Sequence, residues 1–290
     1  MRSSLLALLL SVLGYSILNI SQAVQKIGLS LYTRNRVAGA TVWVGALLAS
    51  GVSFGIVFIA LSIGTVSVVG AAAGTGLVSV AIFSAVFLGE SVRRDKILAL
   101  AAIVAGAALV ALFPVEGTDI YREVLLWVIP AVVSVIAVIV VVLLPRGAPR
   151  AITVAGFSGF LGAYSQLFQK RAAEGVSGAE GFAEVVARLV HDPINLVWVG
   201  MSASSMVVIQ FAYRHAEATR IIPVFTALFI ITPVLGGIAV YGERLSPLQW
   251  CGVVAISVGA VVLGRDTNER PAGGDTRRED GEKSSISGDT

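Results

Sequence analysis

Val124-Leu-Leu-Trp-Val-Ile-Pro-Ala-Val-Val-Ser-Val-Ile-Ala-Val-Ile-Val-Val-Val-Leu-Leu144 runs for 21 residues without a charge. A hydrocarbon core of ~30 Å needs about 20 apolar residues in helical form, so this stretch alone is long enough to cross a bilayer. It shows no apolar/polar alternation of the kind barrel strands carry, and lipid leaves unpaired backbone groups so costly that only helices and closed barrels span it. The stretch therefore reads as a transmembrane helix.

Eight further uncharged runs of comparable length flank it: Leu5 to Val24, Thr41 to Ile63, Val66 to Leu88 and Ile97 to Phe113 before it, then Ala151 to Phe168, Ile194 to Tyr213, Ile221 to Tyr241 and Leu248 to Leu263. With 56% hydrophobic and 13% charged residues among 290, and a mean hydropathy of +0.86, no water-soluble domain of this length accounts for the chain. The fold class expected is all-α, a polytopic membrane protein of about nine transmembrane helices, within a range of eight to ten. The first run passes into polar Asn19, Ser21 and Gln22 without a small-residue cleavage pattern, so it reads as a retained span and not a signal peptide. Residues 265–290 are polar and rich in Gly, Asp, Arg and Ser, a composition that does not repay the entropy of ordering, and they are expected to form a disordered cytoplasmic tail.

Basic residues prefer cytoplasmic loops. With nine spans, fifteen of the 21 Lys and Arg fall on one side, among them Lys26, Arg93, Arg94, Lys96 and those of the tail; Arg2, Arg122, Lys170, Arg171, Arg188 and Arg244 fall on the other. The predicted orientation in the cytoplasmic membrane is N-terminus outside and C-terminus inside.

The chain also repeats itself. Ser21-Gln-Ala-Val-Gln-Lys26 returns as Ser165-Gln-Leu-Phe-Gln-Lys170, each closing the first span of a four-span block. Later in each block Gly89-Glu90 returns as Gly242-Glu243, followed by Ala102, Ile103, Gly106, Ala107 against Ala255, Ile256, Gly259, Ala260. The reading is a first transmembrane repeat over 1–113, a connecting helix within 114–150 and a second repeat over 151–264. A single connecting span makes the second block enter from the opposite face, so the two four-helix repeats are inverted, the architecture of alternating-access transporters.

The paired Phe87-Leu-Gly-Glu90 and Tyr241-Gly-Glu-Arg-Leu245 segments, with Tyr213-Arg-His-Ala-Glu-Ala-Thr-Arg-Ile-Ile-Pro223, resemble the EamA-type drug/metabolite transporter superfamily across both halves. That superfamily commonly has ten spans in inverted five-span repeats. A count of nine, with Gln25-Lys-Ile-Gly28 closing the first span, resembles its NIPA-like magnesium permease branch. The resemblance implies a permease and leaves the solute open.

Polar groups inside spans are the first functional candidates, because lipid offers them no partner. Tyr15, Asn19, Gln22 and Lys26 stack on one helical face, as do Gly159, Gly162, Gln166 and Gln169. These faces, with Gln210 and Tyr213, are candidates to line a substrate pathway of neutral hydrogen-bonding groups; interhelical hydrogen bonding is the alternative. No Asp or Glu falls inside a predicted span, which disfavours both a carboxylate magnesium site and an intramembrane proton carrier, though magnesium held with part of its hydration shell by amide and carbonyl oxygens stays open. Glu90 and Glu243 are expected to cap turns or to pair with Arg93 and Arg244. Gly70, Gly74, Gly106 and Gly259 read as close-packing positions, between halves or between the protomers of a homodimer, and Pro223 and Pro233 as interruptions of one span that either free backbone carbonyls toward a cavity or kink it passively.

Cys251 has no second cysteine to pair with, His191 and His215 are too few for a metal site, and no phosphate loop or catalytic constellation is present. No cofactor and no nucleic-acid partner is expected, since the basic residues are scattered between spans. The function expected is a secondary permease, not an enzyme, moving a small metabolite or amino-acid-like solute; the alternatives are a magnesium permease and a non-transporting membrane scaffold.

Overall fold

The computed structural model describes residues 2–87, 94–113, 121–176, 178–179, 181–213, 215 and 218–265. Gly89 and Glu90, the side chains of Lys26 and Tyr213, and the tail after Arg265 lie outside the described residues.

The described chain is all-helical: α1 (Arg2–Tyr32), α2 (Arg36–Ile63), α3 (Val66–Ala72), α4 (Thr75–Phe87), α5 (Arg94–Leu112), α6 (Glu123–Leu143), α7 (Ala148–Gly175), α8 (Phe182–His191), α9 (Ile194–Tyr213), α10 (Ala218–Tyr241) and α11 (Pro247–Arg265). Seven helical stretches are long and apolar enough to cross a membrane, the third of them made of α3 and α4 together; the apolar parts of α5 and α11 are shorter. Leu5, Leu9, Leu13, Val132, Val135, Ile139, Val142 and Leu143 are exposed. A bundle with so much aliphatic surface turned outward belongs in lipid, where such surface carries no penalty.

Four differences from the sequence expectation stand out. The first helix continues past Val24 to Tyr32. The span expected unbroken from Val66 to Leu88 is divided, because Ala73, Gly74, Gly76 and Leu77 donate to carbonyls three residues back and tighten the chain where small residues abut the second half. Helix α10, by contrast, is continuous through Pro223 and Pro233. The amphipathic α8, between α7 and α9, has no counterpart among the expected spans.

Helix α1 packs chiefly along α2, α7 along α9, and α5 along α11. A Cβ at Gly106 would lie 2.5 Å from the Gly252 carbonyl, and one at Gly259 would lie 2.7 Å from that of Ala99. The same two glycines would press on Ile256 and Ile103 respectively, at 2.8 Å each. The contacts thus exchange when 99, 103 and 106 are replaced by 252, 256 and 259. A second pair behaves alike: the Ser53 hydroxyl donates to Gly14 O at 2.7 Å between α2 and α1, and the Ser205 hydroxyl to Ser158 O at 2.8 Å between α9 and α7. Gly70 and Gly74 sit between the two halves of the chain, against Pro233 on α10 and Ile256 on α11.

Candidate functional site

Between α1 and α2 on one side and α7, α9 and α10 on the other lies a cavity of about 420 Å³, within the range that holds small molecules. Its two ends differ. Gln22, Trp43, Gln210 and Phe225 lie near the C-terminus of α1, the N-terminus of α2, the C-terminus of α9 and the N-terminus of α10, which places all four at one end of the bundle. Gln22 and Gln210 are exposed there. Phe54, Val57 and Gln169 form the deeper part, toward the junction of α2 and α3.

Tyr15 and Gln166 meet across the cavity. The Tyr15 hydroxyl donates to Gln166 Oε1 at 2.9 Å, joining α1 to α7; both side chains are buried, and Gln166 Nε2 has no partner among the described residues. Gln169 Nε2 donates to Phe54 O at 3.3 Å, and Gln25 Nε2 to Ser50 Oγ at 3.1 Å. Ser165 and Ser202 share a hydrogen bond at 2.9 Å in the same wall. The rest is aromatic and aliphatic, including Phe225 and Phe229, stacked with centroids 5.6 Å apart. No charged side chain is among the described residues that line the cavity, and no described group of three or more His, Cys, Asp and Glu is placed to hold a metal.

Of the residues singled out in the sequence, Tyr15, Gln22, Gln166, Gln169 and Gln210 line this space. Asn19 does not; its amide donates back to Tyr15 O at 2.8 Å. Gly162 also lines the cavity, and both Gly159 and Gly162 permit close approach, since a Cβ at the first would lie 2.5 Å from Phe225 O and at the second 2.7 Å from Ser205 Oγ. Trp43, Phe54, Ser202 and Ser205 were not anticipated. For the two serines a signal existed, Ser202-Ala-Ser-Ser205 inside an otherwise apolar run.

Beyond the deep end the bundle is stitched shut at the break between α2 and α3. The Lys170 ammonium donates to Leu61 O at 2.7 Å and Gly64 O at 3.0 Å, the carbonyls left free where α2 stops. The Glu243 carboxylate accepts from Val66 N at 2.8 Å and Ser67 N at 3.0 Å, the first amides of α3. Each charge lies on the helix end that its sign suits. Gly242 makes the reach feasible: its φ of 63° lies in the left-handed region and turns the chain leaving α10 back toward α3. Glu243 thus holds the first amides of a helix in the first half of the chain, where the sequence suggested a turn cap or a pair with Arg244. Burial raises its pKa above the usual carboxylate value, outweighing the bonds from Ser67 and Val66 and the neighbouring Lys170 charge. The Tyr241 hydroxyl donates to Leu167 O at 2.8 Å, and Arg122 Nη1 to Ala239 O at 2.8 Å, at this same end.

Comparison with known proteins gives no matching family model, no matching curated protein and no matching solved structure.

Proposed function

We propose that this chain is a secondary permease of the cytoplasmic membrane that moves a small solute by alternating access. The observation that carries the reading is the cavity itself, open beside Gln22 and Gln210 and shut beyond Gln169 by the Lys170 and Glu243 contacts. A bundle that served only as a scaffold gains nothing from a void of this size, because unfilled volume forfeits packing contacts.

On this reading the chain crosses nine times, the seven long helices joined by α5 and α11. Residues 1–113 and 151–264 form inverted repeats about α6, and the exchanging contacts of α5 with α11 and the matched serine bonds support that symmetry. Inverted halves have two pseudo-equivalent ends, and rocking one half against the other opens each in turn. The charge bias of the loops puts the open end in the cytoplasm, with the N-terminus outside and the C-terminus inside. The uncharged cavity wall favours a metabolite over magnesium, which requires hard oxygen ligands and readily keeps its water.

Purified protein in liposomes, offered magnesium and a panel of amino acids and small metabolites, tests the proposal. Saturable uptake of a metabolite, lost in a Gln22→Ala/Gln166→Ala double variant, is the expected result. Saturable magnesium flux lost in the same variant would move the reading to a cation permease. Absence of any saturable flux would leave the scaffold reading.

A further inference from the structure

Within that permease reading, the geometry points to the class of solute: we infer that the cavity takes an uncharged, flat ring with a carbonyl acceptor on its edge, of the lactam kind found in nucleobases. Three features of the wall converge on this chemistry.

The first is the Gln166 amide. Its oxygen is engaged by the Tyr15 hydroxyl, which leaves Nε2 as a buried donor with no partner among the described residues, on a side chain only 4% exposed. Leaving a buried donor unmade is costly, so a ligand that draws this amide toward the cavity and supplies it an acceptor gains a bond and removes a penalty. The second is charge. With no Lys, Arg, His, Asp or Glu among the described lining residues, a carboxylate or ammonium brought to the depth of Gln166 would be desolvated without a counter-ion. The same argument disfavours a zwitterion, whose two charges both lose water. The third is shape. Trp43, Phe54 and the stacked Phe225–Phe229 pair offer ring faces and edges around a largely apolar space, which rewards a flat π-system more than a chain or a sugar.

Solute class and transport can be separated in one experiment. Binding of uracil and hypoxanthine is measured by equilibrium dialysis on the purified full chain in lipid nanodiscs, beside orotate, phenylalanine and magnesium. Orotate is the decisive probe, because it is the uracil ring carrying one carboxylate. The expected result is saturable binding of the lactams, with orotate and phenylalanine weaker by at least about tenfold, and a Gln166→Leu variant that binds uracil about tenfold more weakly. Tighter binding of orotate, phenylalanine or magnesium, or no lactam binding at all, would overturn the inference. So would undiminished uracil binding by Gln166→Leu. The comparison of uracil with orotate on the unaltered protein needs no variant to fold. Counterflow of labelled uracil in liposomes then reads the permease separately: binding without counterflow would sink the permease and leave the solute class standing.

Discussion

Ser21–Lys26 and Ser165–Lys170 carry the same six-residue pattern and meet different surroundings. In the first, Gln22 is exposed at the open end of the cavity and Gln25 holds Ser50. In the second, Gln166 is buried against Tyr15, Gln169 holds Phe54 O, and Lys170 closes on the end of α2. Equivalent sequence thus sits at the open end of the cavity in one copy and at its closed end in the other. On the proposed permease reading, the contacts that would have to break for the closed end to open are those of Lys170 and Glu243.

The largest effect expected from pressing on this comparison is at Lys170. Lys170→Met strands two carbonyls of α2 and should lower stability by about 2–3 kcal/mol, read as a drop in the thermal midpoint in nanodiscs. An unchanged midpoint would mean that this end is held by something else. Next is Gln166→Leu, for which solute affinity should fall about tenfold, whereas Gln22→Ala, at the exposed mouth, should cost no more than about threefold. Equal losses at both positions would erase the distinction between mouth and depth.

Glu243 adds a pH signature. Its carboxyl is raised above the ordinary value of 4.5 by burial, so the folded protein holds the proton more tightly than the unfolded chain. Its contribution is therefore fully present below pH 4.5 and is lost as pH rises through the native value. Glu243→Gln should flatten that limb of the stability profile, and an identical profile would show that the group is not buried in the working protein. The smallest effect belongs to Gln25→Ala, which removes one partly buried bond to Ser50 and should cost less than about 1 kcal/mol in chemical denaturation.

Part of the polar cavity wall was readable in advance. An amide inside an apolar span stands out because lipid cannot satisfy it, and five of the seven pathway candidates line the cavity. Asn19 misled because helical spacing gives the face but not the partner, and its amide found the carbonyl one turn back. Trp43 and Phe54 were invisible for the opposite reason: aromatic residues are common in spans, and only packing shows which ones face a void. Lys170 and Glu243 stood out as repeated motif residues. The junction between Ile63 and Val66 was legible as a gap between two apolar runs, but that each of these residues reaches it required knowing which distant helices pack there.

The sequence by itself determined the solvent, the helical class, the spacing of the apolar runs and the repeated segments, since bilayer thickness and backbone hydrogen bonding leave one answer for uncharged runs of this length. The tertiary structure decided which of two matched segments closes and which opens, where the third span breaks and which amide is left without a partner. These depend on contacts such as Tyr15 with Gln166 and Val66 with Glu243, between residues 151 and 177 positions apart, a separation across which no local pattern carries information.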